Sequence, residues 1–128
     1  MSLHDLMVSL CLMAAPMAAW AHGDWPPKHG GLMNEGGETS FELVQRPDGI
    51  HFYVEDHGEM VSTSGSQATL TVANPKQTRT FKGSAAAKNK LVFPRASVRP
   101  GDKVMLKVQF AAGSVAVGRY KMPAASAR

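Results

Sequence analysis

The chain has little cysteine and no long hydrophobic run, and each of these absences excludes some classes of protein. Only one of its 128 residues, Cys11, is a cysteine, which excludes an internal disulfide and every cysteine-rich zinc module. No stretch reaches the roughly 18 or more apolar residues that a membrane-spanning helix needs. With 44% hydrophobic and 19% charged residues, the composition predicts one folded domain rather than a disordered tail.

Acidic residues are almost absent from the second half. Residues 61–128 contain twelve bases and one acid, Asp102, a net charge of +11, whereas residues 22–60 contain eight acids and two bases, a net charge of −6. The basic part lacks the interleaved exposed aromatics of a nucleic-acid stacking platform, so we expect no nucleic-acid partner. We expect instead a solvated β surface or a surface that docks on an acidic partner.

The N-terminus resembles a cleaved export signal. Residues 6–19 form an apolar run, and Ala19-Trp20-Ala21 fits the small-x-small rule for signal peptidase. We therefore predict a signal peptide over residues 1–21, a periplasmic location and no stable membrane insertion. The alternative is a buried N-terminal helix, because residues 1–5 contain no Lys or Arg.

Beyond this segment, short runs of alternating apolar and polar residues are separated by turn residues. Thr39–Gln45 and Ile50–Glu55 flank Pro47-Asp48-Gly49 and predict a β-hairpin with Ile50, Phe52 and Val54 on its core face. Five more strands and a short first strand are predicted, at 68–72, 78–82, 89–93, 103–110, 114–120 and 31–34. We expect residues 84–88 to form a loop rather than a helical turn.

Seven or eight short strands predict an all-β fold. The default is an antiparallel β-sandwich, with either an immunoglobulin-like topology or a small Greek-key barrel. We expect a flexible N-terminal segment with the possible first strand over 22–37, the β-sandwich domain over 38–122, and a disordered tail over 123–128.

The side chains that could carry chemistry are histidines and methionines of the acidic part. There is no Gly-x-Ser-x-Gly, P-loop or dinucleotide pattern, so we expect no enzyme activity. Imidazole, thioether and carboxylate together suit copper, with Met favouring Cu(I) or Ag(I) and His with carboxylate favouring Cu(II) or zinc. We therefore predict a copper or silver ion as the ligand, with zinc as a further candidate.

We predict that His29 and His57 meet at one sandwich edge if the first strand pairs beside the hairpin. Met33 or Met60 would complete the site, and Glu55 would lie about 6.6 Å from His57 on one strand face. The alternative is that both histidines are ordinary loop residues and both methionines pack in the core. His51, on the outer face of its strand, is expected to be exposed and to bind nothing.

His22 would become the terminal residue if cleavage follows Ala21. Its α-amine and ring nitrogen could then bind one copper ion together with a second histidine. The same arrangement underlies an alternative function, a copper oxidase or monooxygenase, which would require an open coordination position.

Three stretches resemble a known group of proteins: Lys28-His29-Gly30-Gly31, Phe41-Glu42-Leu43-Val44, and Tyr53 to Gly58 followed by Ser64-Gly65 and Ala68 to Val72. They are similar to small exported bacterial proteins associated with heavy-metal efflux and to N-terminal modules of periplasmic adaptor subunits of metal efflux pumps. The resemblance covers about residues 28–73 and implies metal handling, with His29 and His57 as the residues carried over.

We therefore predict a periplasmic metal-binding protein that sequesters copper or silver or passes the ion to an efflux pump, with the pump's adaptor as a partner. The rival prediction is a metal-free interaction module that docks on an efflux adaptor or another acidic partner through the basic half.

Overall fold

The computed structural model describes residues 25–124, and within them every regular element is a β-strand. The acidic part contributes β1 to β4: Leu32–Met33, Thr39–Arg46, Gly49–Asp56 and Glu59–Met60. The basic part contributes β5 to β9: Gln67–Ala73, Thr78–Ala86, Lys90–Pro94, Lys103–Gln109 and Val115–Lys121. No helix in residues 25–124 is long and apolar enough to cross a membrane. The all-β prediction is confirmed, with nine strands once the two-residue strands are counted.

The strands pair antiparallel in the order β1-β2-β3-β7-β6-β5-β8-β9, and β4 pairs with β3 beside this path. β5, β6 and β7 follow one another across the sheet, and β8 returns to lie beside β5, which is a Greek-key arrangement. The sheet curls until β9 approaches β2, where the Tyr120 hydroxyl donates to the Phe41 carbonyl oxygen at 2.6 Å. The fold is therefore a nearly closed barrel.

The core fills the inside of this barrel through strict alternation of side chains. Ile50, Phe52 and Val54 of β3 are fully buried there, as the alternation in their strand predicts. Side chains from β2, β5, β7 and β8 meet them from the other walls: Phe41, Leu43, Leu70, Val72, Leu91, Phe93, Val104, Leu106 and Val108.

The loop predicted over residues 84–88 is wrong in its first part, because Ser84 to Ala86 continue β6. The first residues of β6 pair with β5, and its last three pair with β7, so one long strand crosses from one neighbour to the other. The crossing occurs at Gly83, whose missing side chain leaves room for the Phe93 ring. Ser84 to Ala86 are small and mostly exposed, so their place in a strand comes from pairing with β7 and is not revealed by propensity.

The short first strand predicted near residues 31–34 forms as β1. Leu32 pairs with Leu43 and Met33 with Glu42, so β1 continues the sheet beyond β2. The domain boundaries at residues 38 and 122 stay predictions, and the expected signal peptide lies outside the described residues.

Candidate functional site

The outer face of the β2–β3 hairpin carries a buried carboxylate, Glu42, that binds the chain preceding β1. Its oxygens accept the backbone N–H groups of Lys28 at 2.9 Å, His29 at 2.7 Å and Gly31 at 2.8 Å. The Nδ1 atom of His29 lies 3.0 Å from Oε1 of the same carboxylate. Four contacts therefore fix residues 25–31, called here the N-terminal strap, to the barrel wall.

Gly30 and Gly31 explain why the strap can turn back over this face. Gly30 has a positive φ of 71°, and a Cβ on Gly31 would collide with the Leu43 carbonyl oxygen. A residue with a side chain could not approach the β2 backbone so closely. The glycine pair therefore reverses the chain and sends the strap along the outer face toward the β3–β4 turn.

Three further contacts hold the strap at its other end. The Lys28 ammonium lies 2.8 Å from a Glu55 oxygen and donates to the Gly58 carbonyl oxygen at 3.2 Å. The Trp25 ring packs on Gly58, where a Cβ would come within 3.2 Å of the indole. The strap thus spans from the middle of β2 to the turn that follows β3.

Burial and hydrogen bonding act on Glu42 in opposite directions. Burial raises the pKa of its carboxyl, but the His29 ring and the backbone N–H groups of Lys28, Gly31 and His29 lower it more, so the pKa lies below the ordinary 4.5. Glu42 is therefore ionised at neutral pH. Because an ionised carboxylate only accepts hydrogen bonds, Nδ1 of His29 carries the hydrogen, and the lone pair of the neutral ring lies on Nε2.

The same pairing recurs at the other described histidines. Nδ1 of His57 lies 2.7 Å from Asp56, and Nε2 of His51 lies 3.0 Å from Asp48. A ring nitrogen that donates to a carboxylate fixes the tautomer and leaves the opposite nitrogen as the basic one, which is the usual second-shell arrangement of metal-binding histidines. At His29 and His57, which are partly and largely exposed, an ion could reach that nitrogen. At His51 the nitrogen opposite the carboxylate is Nδ1, which is buried without a hydrogen-bond partner.

The β3–β4 turn presents His57 at its tip. His57 and Gly58 have φ angles of 51° and 80°, the pattern of a two-residue hairpin turn in which both central residues are left-handed. Asp56 and Glu59 face each other directly across the turn, and Met60 is 63% exposed. His57 is therefore at an exposed tip, with Asp56 and Glu59 on one face of the β3–β4 pair and Met60 on the other.

The predicted ligands divide between two places. His29 lies on Glu42 and against the Tyr53 ring, with 3.6 Å between ring centroids, whereas His57 and Met60 belong to the tip. Glu55 is buried in its ion pair with Lys28, and Met33 is half-buried opposite Glu42. His22 lies outside the described residues. Within residues 25–124, no group of three or more His, Cys, Asp and Glu side chains is arranged to hold a metal ion.

The expectation that His51 is exposed is wrong, because it is only 7% exposed. Its register partners on the two sides are Val44 and Val92, and Asp48 covers its Nε2. The two valines make this part of the outer face apolar and close-packed.

Glu42, Lys28 and Tyr53 are the residues of this site that sequence reasoning did not single out. Val44 and Glu42 share the outward face of β2. Single apolar residues are common on solvated faces, so this pattern alone does not predict that a segment covers both. The alternation of Phe41 and Leu43 predicts only the core face of β2.

No family model, no curated protein and no solved structure matches this chain.

Proposed function

We propose that this protein is exported to the periplasm and binds a transition-metal ion there, copper or silver in preference to zinc, so as to sequester the ion or pass it to an efflux system. The observation that carries the proposal is the pairing of His29 with the buried, ionised Glu42, repeated at His57 with Asp56. Each pairing aims one basic ring nitrogen away from its carboxylate, as metal-binding histidines require.

The exposure of these donors suits temporary binding. Nε2 of His29 and of His57 are single donors on the strap and on the tip, and the Met60 thioether beside the tip adds affinity for a soft ion. His22, which the expected cleavage would make the terminal residue, is proposed as a further ligand through its α-amine and ring nitrogen. A site with few protein ligands exchanges its ion readily, which is what delivery requires.

Titration calorimetry with Cu(II), Cu(I), Ag(I) and Zn(II) tests the proposal. We expect binding tighter than about 10 µM for at least one ion. His57→Asn removes the imidazole while keeping a residue that favours the left-handed turn, and His29→Asn keeps an N–H donor for Glu42. The double variant is expected to lose binding, whereas His51→Gln, at a buried ring, is the matched control and keeps it.

Absence of binding at this level for all four ions would overturn the proposal, as would unchanged binding in the double variant. Met60→Leu distinguishes binding of Cu(I) and Ag(I) from binding of Cu(II). Loss of the thioether should weaken binding of the two monovalent ions and leave Cu(II) binding nearly unchanged.

The second candidate function is a metal-free interaction module that docks through its basic half. The observation that favours it is the concentration of Lys and Arg on β6, β8 and β9, strands that contain no acid. A protein partner that is retained in EDTA and released by salt would support this candidate.

A further inference from the structure

The outward side of four neighbouring strands forms a surface of one charge sign. β6, β5, β8 and β9 pair in this order, and their outward side chains alternate with the core residues. Five of the outward side chains are cationic, and together they are called here the basic face: Lys82, Lys103, Lys107, Arg119 and Lys121. All five are exposed.

The register concentrates these charges rather than spreading them. Lys103 lies directly opposite Lys121 on the neighbouring strand, and Arg119 lies opposite Met105. Like charges in direct cross-strand register destabilise a sheet. Among residues 25–124, the salt bridges involve Lys28 and the histidines, and none involves a member of the basic face. No ion pair within this part of the chain therefore relieves the repulsion.

The dimensions of the face follow from strand geometry. Strands lie about 4.8 Å apart and rise about 3.3 Å per residue, so the five cations cover an area of roughly 15 by 13 Å. Between them lie Thr71 and the half-exposed Met105, and a shallow cleft of about 370 Å³ opens beside Lys103, Arg119 and Lys121. Among residues 25–124, Glu35 is the only acid that lines this cleft.

We propose that the basic face docks the protein on the anionic phospholipid surface of a membrane, with the cleft holding a lipid phosphate. Lysine is depleted at protein–protein interfaces, whereas a layer of phosphates accepts it as a point charge. Four of the five cations are lysines. Lysines spread over an open strand face suit a laterally mobile array of headgroups better than a shaped protein partner.

The face also lacks what a nucleic acid would need. Its strands β6, β5, β8 and β9 contain two aromatic residues, Phe81 and Tyr120, and both belong to the core side. A single-stranded nucleic acid would require outward aromatics for base stacking. Met105 and the 54% exposed Val115 instead offer apolar contacts to the lipid boundary. The docking is peripheral and independent of any metal ion.

Co-sedimentation of the full chain with vesicles in EDTA tests this proposal separately from the proposed function. Vesicles of phosphatidylglycerol mixed with phosphatidylcholine are compared with vesicles of phosphatidylcholine alone, so that binding through the apolar residues 6–19 is common to both. We expect preferential binding to the anionic vesicles that decreases with salt.

Lys121→Glu is the sharpest variant, because it converts the Lys103 repulsion into an attraction. The sheet should be as stable as before or more stable, while vesicle binding falls by at least roughly fivefold, the contribution of one cation near an anionic leaflet. Lys88→Glu is the matched control, since it makes the same charge change in the β6–β7 turn, away from the face. It should reduce binding by less than Lys121→Glu does.

Four results would overturn the proposal. Equal binding to neutral and anionic vesicles would remove the electrostatic basis, and equal losses in the two variants would show that net charge, not this face, is responsible. Tighter binding of a DNA oligonucleotide than of the anionic vesicles, or release by inorganic phosphate beyond that caused by chloride at equal ionic strength, would show that the face takes another phosphate source.

Discussion

Strands β3 and β8 bury their side chains in different ways. Along β8, residues that face the core alternate regularly with exposed residues. Along β3, the outward residues His51, Tyr53 and Glu55 are nearly as inaccessible as the core residues between them. The N-terminal strap crosses the outer face of β2 and β3, whereas nothing in residues 25–124 covers the outer face of β8 in this way.

This difference gives outward polar residues different roles. Under the strap, a polar group loses water and must find a partner, so Glu42 accepts three backbone N–H groups and Glu55 pairs with Lys28. On the basic face, Lys103 and Lys107 keep their water and contribute little to stability. The covered region is therefore sensitive to substitution on both of its faces, and the open region on only one.

Replacing Glu42 should produce the largest difference between the two regions. Glu42→Gln keeps the shape but places an N–H₂ group where acceptors are needed, so the strap loses its charged hydrogen bonds. We expect urea unfolding to show a loss of about 3 kcal/mol, together with faster amide exchange at Lys28, His29 and Gly31. Lys107→Gln, an outward residue of β8, is the control and should change stability by no more than about 0.5 kcal/mol. Similar losses of stability in Glu42→Gln and Lys107→Gln would contradict the difference between the covered and the open outer faces.

Acid should release the strap without any substitution. The pKa of Glu42 lies below 4.5 because its hydrogen bonds outweigh the effect of burial, which alone would raise it. A folded-state pKa below the unfolded value gives stability that is present above the unfolded value and is lost as the pH falls through the folded one. We expect Trp25 to change its fluorescence as the pH falls below about 4.5.

Glu42→Gln supplies the control for this acid transition, because its strap is already loosened and has no carboxyl to titrate at this position. A Trp25→Phe variant assigns the signal to the strap. An acid transition of equal size in wild type and Glu42→Gln would show that another group is responsible.

What the sequence predicts differs between the two sides of a strand. Core positions such as Ile50, Phe52, Leu70 and Leu106 follow from alternation, because one side of each strand must be apolar wherever the barrel closes. The covered outer face does not follow, because it depends on the strap returning over β2, a contact between distant residues. The Gly30-Gly31 pair and the outward Val44 hint at it, but neither names Glu42 as the acceptor.

Gly31→Ala tests the close approach of the strap to β2. The added methyl group would collide with the Leu43 carbonyl oxygen and lie 2.8 Å from a Val44 methyl, and backbone atoms cannot move aside without breaking the β1–β2 pairing. We expect a loss of about 2 kcal/mol, typical of overpacking, measured by urea unfolding. Gly30→Asn is the control, because that position has free space around it and Asn tolerates a positive φ. Equal losses of stability in Gly31→Ala and Gly30→Asn would mean that the conformation of the turn, and not the close approach to β2, is responsible.

Tyr120→Phe tests the contact that joins the two regions, with the smallest expected effect. Burial and the nearby Glu42 charge raise the pKa of Tyr120 well above 10.0, so its hydroxyl stays a donor to Phe41 across the neutral range. The Phe41 carbonyl also accepts the Asn34 N–H at 3.3 Å, so it is not left without a partner when the hydroxyl is removed. We therefore expect a loss of about 1 kcal/mol in urea unfolding rather than the full cost of an orphaned group.

Tyr53→Phe is the matched control, because its hydroxyl only accepts from the exposed Arg46. A loss in Tyr120→Phe no larger than in Tyr53→Phe would show that barrel closure depends on the apolar packing of β9 and not on this bond.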